Sequence, residues 1–315
     1  MKLSLVVPCY NEEDNVQEFY HCTKACFRGK LDDYEIIFVN DGSSDKTLEK
    51  LKTLTDHKEP ALQIVSFSRN FGKESAIYAG LSHAKGDAVC IIDADLQQRP
   101  EVVLQMYGIL NEEPELDCVC AFQEKRKENK LLSFTKSMFY KIINRISEVD
   151  FVNGASDFRL MKRSMVNAIL SMTEYHRFSK GIFSWIGFNT KYIPYEVAKR
   201  KHGETKWSPR KLFKYGMGGI IAFSTAPLKF VTFVGFFSAF LSIAYMIFVI
   251  IQKLFFGIDI PGYATIIVLL LLMGGLILFC LGIIGEYLAK MYVQLKNRPI
   301  YIEREHIENN KNNDN

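Results

Sequence analysis

The stretch AVCIIDADLQQRPEVVLQMYGIL, residues 88–110, decides the fold. It opens as an apolar run through Ile92, breaks into Asp93, Asp95 and Gln97, and restarts at Pro100 and Glu101 with apolar residues at helical spacing. A short unbroken apolar run predicts a strand buried on both faces, and Pro followed by an acid predicts a helix start. Read as a strand over 88–95, the segment sends Asp93 and Asp95 to the same face of the sheet, because side chains alternate. Two carboxylates held that close repel each other, so the pair calls for a cation.

The same strand-then-helix pattern recurs on the N-terminal side, with one more strand run on the C-terminal side. LSLVVP (3–8), YEIIFVND (34–41), LQIVSFS (62–68) and DCVCAF (117–122) read as further strands, and Ser43, Ser44 and Asp45 form a cap signal before KTLEKLKTL. Alternating strands and helices predict an α/β fold: a mainly parallel sheet with helices on both faces. Such sheets bind ligands beyond the carboxyl ends of their strands. Those ends read PCYNEEDN, NDGSSD, SRNFGKE and DADLQ, so four successive strands deliver Asn, Asp, Lys and paired carboxylates to one rim. No GxGxxG follows the first strand and no Walker A motif is present, which argues against a Rossmann dinucleotide enzyme or a P-loop nucleotidase. An acidic rim that must hold an anionic phosphate needs a hard divalent cation between them, Mg²⁺ or Mn²⁺.

The chain of 315 residues carries a net charge of only +4, too little to suggest nucleic acid as a partner. Its seven cysteines show no ligand spacing and mostly sit in apolar runs, as small buried hydrophobes in a reducing compartment do. Two stretches, LKFVTFVGFFSAFLSIAYMIFVII (228–251) and ATIIVLLLLMGGLILFCLGIIG (264–285), are long enough to span a bilayer without interior charge. Lys199, Arg200, Lys201, Lys206, Arg210, Lys211 and Lys214 precede them, and Lys290, Lys296, Arg298 and Arg304 follow. By the positive-inside rule, both long arms and both termini are cytoplasmic and the short link is outside. The expected organisation is a cytosolic domain over 1–207, an interfacial amphipathic segment over 208–226, spans at 227–252 and 263–288, and a cytosolic tail over 289–315 with a disordered end. Residues 123–146 mix cations with apolar residues at helical spacing, as a membrane-facing lip or a solvated surface helix would.

With these motifs in place, the chain resembles the family 2 glycosyltransferases of the GT-A fold. The polyisoprenyl-phosphate branch, with dolichol-phosphate mannose synthase and the bactoprenol glucosyltransferases, is the nearest likeness. It runs from VVPCYNEEDN to GEYLAKMYVQLKNRPIY (285–301), and the two-span ending matches the bactoprenol enzymes more closely than soluble relatives. The resemblance implies a first nucleotide-binding loop at Pro8, Tyr10, Asn11 and Glu12, and a base contact at Asp41. It adds Lys73, Asp93, Ala94 and Arg126 to the nucleotide-sugar site, and assigns Asp95, Gln97 and Asp93 to the metal and diphosphate. Asp157, in GASDFRLM, matches the proposed catalytic base. Arg200 and Lys206, in RKHGETKW, match a basic pair that holds phosphates near the acceptor. Thr205 stands where the family usually has Ser, and Gln123 stands near a position where many relatives have Arg. EYHRFSKG (174–181) occupies the region where processive members carry QxxRW, which favours transfer of a single sugar.

The implied activity is inverting, metal-dependent transfer of one sugar, UDP-glucose being the leading donor, to undecaprenyl phosphate. The alternatives are GDP-mannose or a UDP-aminosugar as donor, or an inactive membrane-tethered nucleotide-sugar binding protein. The implied location is a bacterial inner membrane. The oligomeric state stays open, a homo-oligomer included.

Overall fold

The computed structural model describes residues 1–57, 59–123, 144, 155–198, 221, 224–256 and 262–309. Among them, one sheet holds eight strands: β1 (Leu3–Cys9), β2 (Tyr34–Asn40), β3 (Ala61–Phe67), β4 (Ala88–Ile91), β5 (Cys118–Gln123), β6 (Ala155–Lys162), β7 (Thr190–Tyr195) and β8 (Glu303–Glu308). Their order is β7-β5-β6-β4-β1-β2-β3-β8. β1 runs parallel to β2 and β4, β2 to β3, and β5 to β7. β6 is antiparallel to both β4 and β5, and β8 is antiparallel to β3. The chain builds outward from β1 through β3 and then returns to the other side of β1 as β4. The strand order therefore switches between β1 and β4, which opens a crevice at their carboxyl ends.

Helices cover both faces, as the alternating pattern predicts. α1 (Val16–Phe27), α2 (Thr47–Thr53) and α4 (Pro100–Glu112) pack Phe19, Tyr20, Leu51, Val103 and Met106 against Leu3, Leu5 and Val7 of β1. α3 (Lys73–His83), α5 (Arg163–Ser171) and α6 (Ser179–Trp185) form the second layer, where Val6, Val39 and Val65 meet Ala76, Ala79, Val166 and Phe183. Period-two alternation along β1 thus feeds two cores from one strand. α3 lies especially close to the sheet, because a Cβ at Gly80 would fall 2.2 Å from Val6 Cγ1.

All five strands expected from apolar runs are present, with one correction. β4 stops at Ile91, and Asp93 to Gln98 form a turn in which Leu96 takes a left-handed φ of 57°. The two acids are therefore not arranged by strand alternation. Three further strands carried no such run. β6 (ASDFRLMK) and β8 (EREHIE) are rich in charge, and β7 contains Pro194. β7 and β8 are the sheet edges, where charge and proline discourage pairing with a second chain.

α7 (Ala226–Phe256) and α8 (Tyr263–Leu295) are long and apolar enough to cross a membrane by length and composition, with mean hydropathies of 2.4 and 3.0 over the qualifying segments. Their side chains, Phe236 and Leu270 among them, face outward and are not covered by the rest of the chain. At 33 residues, α8 is roughly 50 Å long, against a hydrocarbon thickness of roughly 30 Å. Its last turns extend past the expected end at residue 288 and dock on the sheet domain. There Gln294 Oε1 accepts from the Tyr175 N–H at 2.8 Å.

Candidate active site

The rims of β1, β2 and β3 are tied together before any catalytic group is placed. Pro8 lies inside β1, and Asn11 just beyond it takes a left-handed φ of 52°. The Asn11 N–H donates to Ser43 Oγ at 3.0 Å, Asn11 Oδ1 accepts from the Ser44 N–H at 2.9 Å, and the Glu12 N–H donates to Thr47 Oγ1 at 2.9 Å. Tyr10 is exposed at 39%. Asp41, at the end of β2, is buried and accepts from the N–H groups of Phe71 at 2.6 Å and Gly72 at 3.0 Å. Burial pushes its carboxyl up to about 6, although those two N–H bonds and Arg69 pull the other way. Next to it, Gly42 has a φ of 60° and a Cβ there would lie 2.3 Å from the Arg69 backbone, so only glycine fits. Asp41 and Gly42 thereby fix the loop that delivers the first residue of α3.

That residue is Lys73. Its ammonium lies 2.7 Å from Asp93 Oδ1 and 3.4 Å from Asp157 Oδ2. Burial disfavours the charge, but the two carboxylates hold the Lys73 pKa well above the ordinary lysine value. Burial likewise raises the Asp157 carboxyl, yet Lys73, Lys180 and Arg159 outweigh it and hold Asp157 below the ordinary aspartate range. Asp157 Oδ1 is buried with no hydrogen-bond partner among the described residues. The antiparallel register brings Asp157 here: Arg159 pairs with Ile91, so two residues further out Asp157 stands beside Asp93.

The cation called for by the acidic pair is thus supplied in part by the protein. Asp93 is engaged by Lys73 and by Gln98, which donates to Asp93 Oδ2 at 3.1 Å and accepts from the Asp93 N–H at 2.9 Å. Asp95 is buried, and its Oδ1 accepts from the Gln97 N–H at 3.1 Å. Ala94 is buried between them. The donors in this turn are carboxylate and amide oxygens, with the unpartnered Asp157 Oδ1 close by, and that chemistry fits a hard divalent cation. Asp95, Gln97 and Asp93 are the residues that would hold it.

The structure therefore gathers Lys73, Asp93, Ala94, Asp95, Gln97 and Asp157 at one rim, with the Pro8–Glu12 and Asp41 loops alongside. Arg126, Arg200 and Lys206 lie outside the described residues, as do most of the segment expected to be interfacial and most of residues 123–146. Reading the sequence alone missed Gln98, Lys180 and the buried Arg159, whose guanidinium stacks 3.7 Å from the centre of the Phe183 ring. Lys180 and Arg159 lacked a signal because only folding brings their charge to Asp157. A cavity of about 230 Å³ opens beside Lys73, lined by Gly72, Tyr175, His176, Arg177 and Ile300.

Residues 4–170 match the family described as Glycosyl transferase family 2. The chain belongs to that family. Residues 226–291 of this family 2 glycosyltransferase match the GtrB C-terminal hairpin. The chain is 44% identical over 303 residues to the putative glycosyltransferase CsbB of Bacillus subtilis (strain 168), covering 96% of this chain and 91% of that protein. It is 40% identical to the bactoprenol glucosyl transferase of Shigella phage SfV, covering 96% and 98%. Among solved structures, mannosyl-3-phosphoglycerate synthase from Rubrobacter xylanophilus aligns with a TM-score of 0.49 at 17% identity, over 70% of this chain and 72% of its own. The mainly parallel sheet with helices on both faces and a two-helix ending is the architecture that the GT-A resemblance implied.

Proposed function

We propose that this family 2 glycosyltransferase moves one glucosyl group from UDP-glucose to the phosphate of a polyprenyl phosphate such as undecaprenyl phosphate, with inversion at the anomeric carbon. The observation that carries this reading is the likeness along almost the whole chain, hairpin included, to proteins named bactoprenol glucosyl transferase. The domain over 1–207 and the tail lie on the cytoplasmic side of a bacterial inner membrane, with the link between α7 and α8 outside.

Asp95, Gln97 and Asp93 would hold Mg²⁺ or Mn²⁺, which when bound would supply Lewis-acid neutralisation of the diphosphate leaving group. The nucleotide rests on the Pro8–Glu12 loop and near Asp41, while Lys73 and Arg126 add positive charge along the diphosphate. Arg200 and Lys206 hold the acceptor phosphate, the first as a fork and the second as a point charge. A phosphate monoester has its second pKa near ~6, so the nucleophile arrives ionised at neutral pH. A carboxylate with a depressed pKa is a weak proton acceptor. Both points favour Asp157 as a positioning residue that fixes Lys73, more than as a base.

The test is a panel of UDP-glucose, GDP-mannose and a UDP-aminosugar with undecaprenyl phosphate and Mg²⁺ or Mn²⁺, with the glycolipid identified by mass. Glucosyl phospholipid from UDP-glucose is expected. A product from another donor only would replace the sugar assignment, and no product from any donor would turn the reading toward a tethered binding protein.

A further inference from the structure

At the end of α3 opposite Lys73, three side chains that the transfer reaction does not use converge. His83 is the last residue of α3, and Glu303 and His306 stand on β8. His83 Nε2 lies 3.3 Å from one Glu303 oxygen and His306 Nδ1 lies 3.9 Å from the other. The three ligand atoms are within 4.8 Å of one another.

The outward-facing nitrogens assign the tautomers. His83 Nδ1 is 2.9 Å from the Ala79 carbonyl oxygen, which also accepts from the Ser82 hydroxyl at 2.7 Å, and a ring nitrogen this close to a carbonyl oxygen carries the proton. His306 Nε2 is 3.2 Å from Gln63 Oε1, while the amide nitrogen of Gln63 donates to Glu35 at 3.0 Å. The Gln63 oxygen therefore faces His306 as an acceptor, and the proton belongs on Nε2. In the neutral rings, His83 Nε2 and His306 Nδ1 then turn bare lone pairs toward the Glu303 carboxylate. Three lone-pair donors pointing at one another repel unless a ring takes a second proton and pairs with Glu303 or a metal cation sits between them. Metal-binding histidines have this form: the outer N–H is held by an oxygen and the inner nitrogen is bare.

We propose that His83, Glu303 and His306 form a zinc site that clasps β8 to α3. Two imidazoles and one carboxylate, with a fourth position left for water, suit Zn²⁺, whereas Mg²⁺ and Ca²⁺ favour all-oxygen shells. Ligand atoms about 2.0–2.1 Å from a tetrahedral zinc stand roughly 3.4 Å apart. The His83–Glu303 contact of 3.3 Å meets that spacing, while His306 approaches the other carboxylate oxygen at 3.9 Å and the three ligand atoms spread over up to 4.8 Å, so the site closes by about an ångström on binding. The consequence is architectural. Residues 296–302 alone separate the end of α8 from β8, so the clasp fastens the chain returning from the hairpin onto the helix that presents Lys73. Spanning 11 residues, α3 holds the two sites roughly 16 Å apart along its axis.

The full-length protein in detergent, stripped with chelator, is titrated with Zn²⁺ in excess Mg²⁺, and bound metal is counted by elemental mass spectrometry. One Zn²⁺ per chain is expected, with tetrahedral absorption bands when Co²⁺ replaces it. His83→Asn and His306→Asn should each weaken Zn²⁺ binding at least tenfold, while Asp95→Asn and His21→Asn retain it. The Co²⁺ spectrum of the wild type is read without any variant, so a misfolded variant does not decide the matter. Wild-type protein that takes up no Zn²⁺, or shows only octahedral Co²⁺, would overturn the site. Equal overturning force belongs to wild-type affinity in both histidine variants, or to loss of binding in Asp95→Asn.

Discussion

Lys73 places one ammonium between two carboxylates, so its removal should alter both of them. In Lys73→Met, kcat should fall about 10²-fold or more, as when a single charge-stabilising donor is lost elsewhere. The Asp157 carboxyl, no longer held down by its closest cation, should follow burial upward, moving the acidic limb of the pH–rate profile toward neutrality. An acidic limb unchanged from wild type would remove Lys73 from that role. Asp95→Asn should abolish metal-dependent turnover, whereas Asp93→Asn should mainly raise the donor KM, because Asp93 already has Lys73 and Gln98 as partners. Equal defects in the two would make the carboxylates equivalent. Asp41 and Asp157 shift in opposite directions, and the signs follow. Asp157, with its folded pKa depressed, stabilises the fold above the unfolded aspartate value near ~4, and this is lost on further acidification. Asp41, raised to about 6, binds its proton more tightly in the folded state, so its contribution to stability declines as pH rises from about 4 to about 6. That decline, on the order of 2–3 kcal/mol, should be absent from the chemical-denaturation profile of Asp41→Asn.

α3 does three things at once: it presents Lys73, packs on β1 through Gly80, and ends at His83. Its approach to the sheet is limited by the missing side chain at Gly80, so Gly80→Ala inserts a methyl against buried Val6. The overpacking costs ~1–3 kcal/mol, which exceeds the gain of ~1 kcal/mol from replacing a helical glycine. Gly108 in α4 has nothing within 4 Å of its missing Cβ, so Gly108→Ala should show that gain alone. Thermal denaturation of the pair should therefore give shifts of opposite sign. α2 and α4 could be read from the sequence because each has a local start signal, Ser43 to Asp45 for the first and Pro100 with Glu101 for the second. β6 could not, since Asp157, Arg159 and Lys162 break its apolar pattern. Its place beside β4 follows from antiparallel pairing across 60 residues of chain or more, which no local window contains.

Across the whole molecule, the return of the chain as β8 joins the hairpin to the sheet domain at both ends. β8 covers the outer edge of β3, and Asn309 locks its end by accepting from the Leu62 N–H at 2.7 Å and donating to the carbonyls of His57 and Pro60. Deleting residues 303–315 uncovers the backbone groups of a buried strand, so the truncated protein should aggregate more readily and melt lower by on the order of 10 °C. A melting temperature equal to wild type in the same detergent would show β8 to be dispensable. The sequence by itself determined the alternating architecture, the acidic and basic rim and the two apolar spans. Each of these rests on local periodicity or on hydrophobic length, which neighbouring residues carry on their own. Only the tertiary structure decided that Lys73 bridges Asp93 and Asp157, that Asp93 and Asp95 lie in a turn beyond β4, and that the charged segment 303–308 is a strand. Those outcomes depend on contacts between residues distant in the chain, whose energies are set by burial and pairing in the folded state and leave no periodic trace in the order of residues.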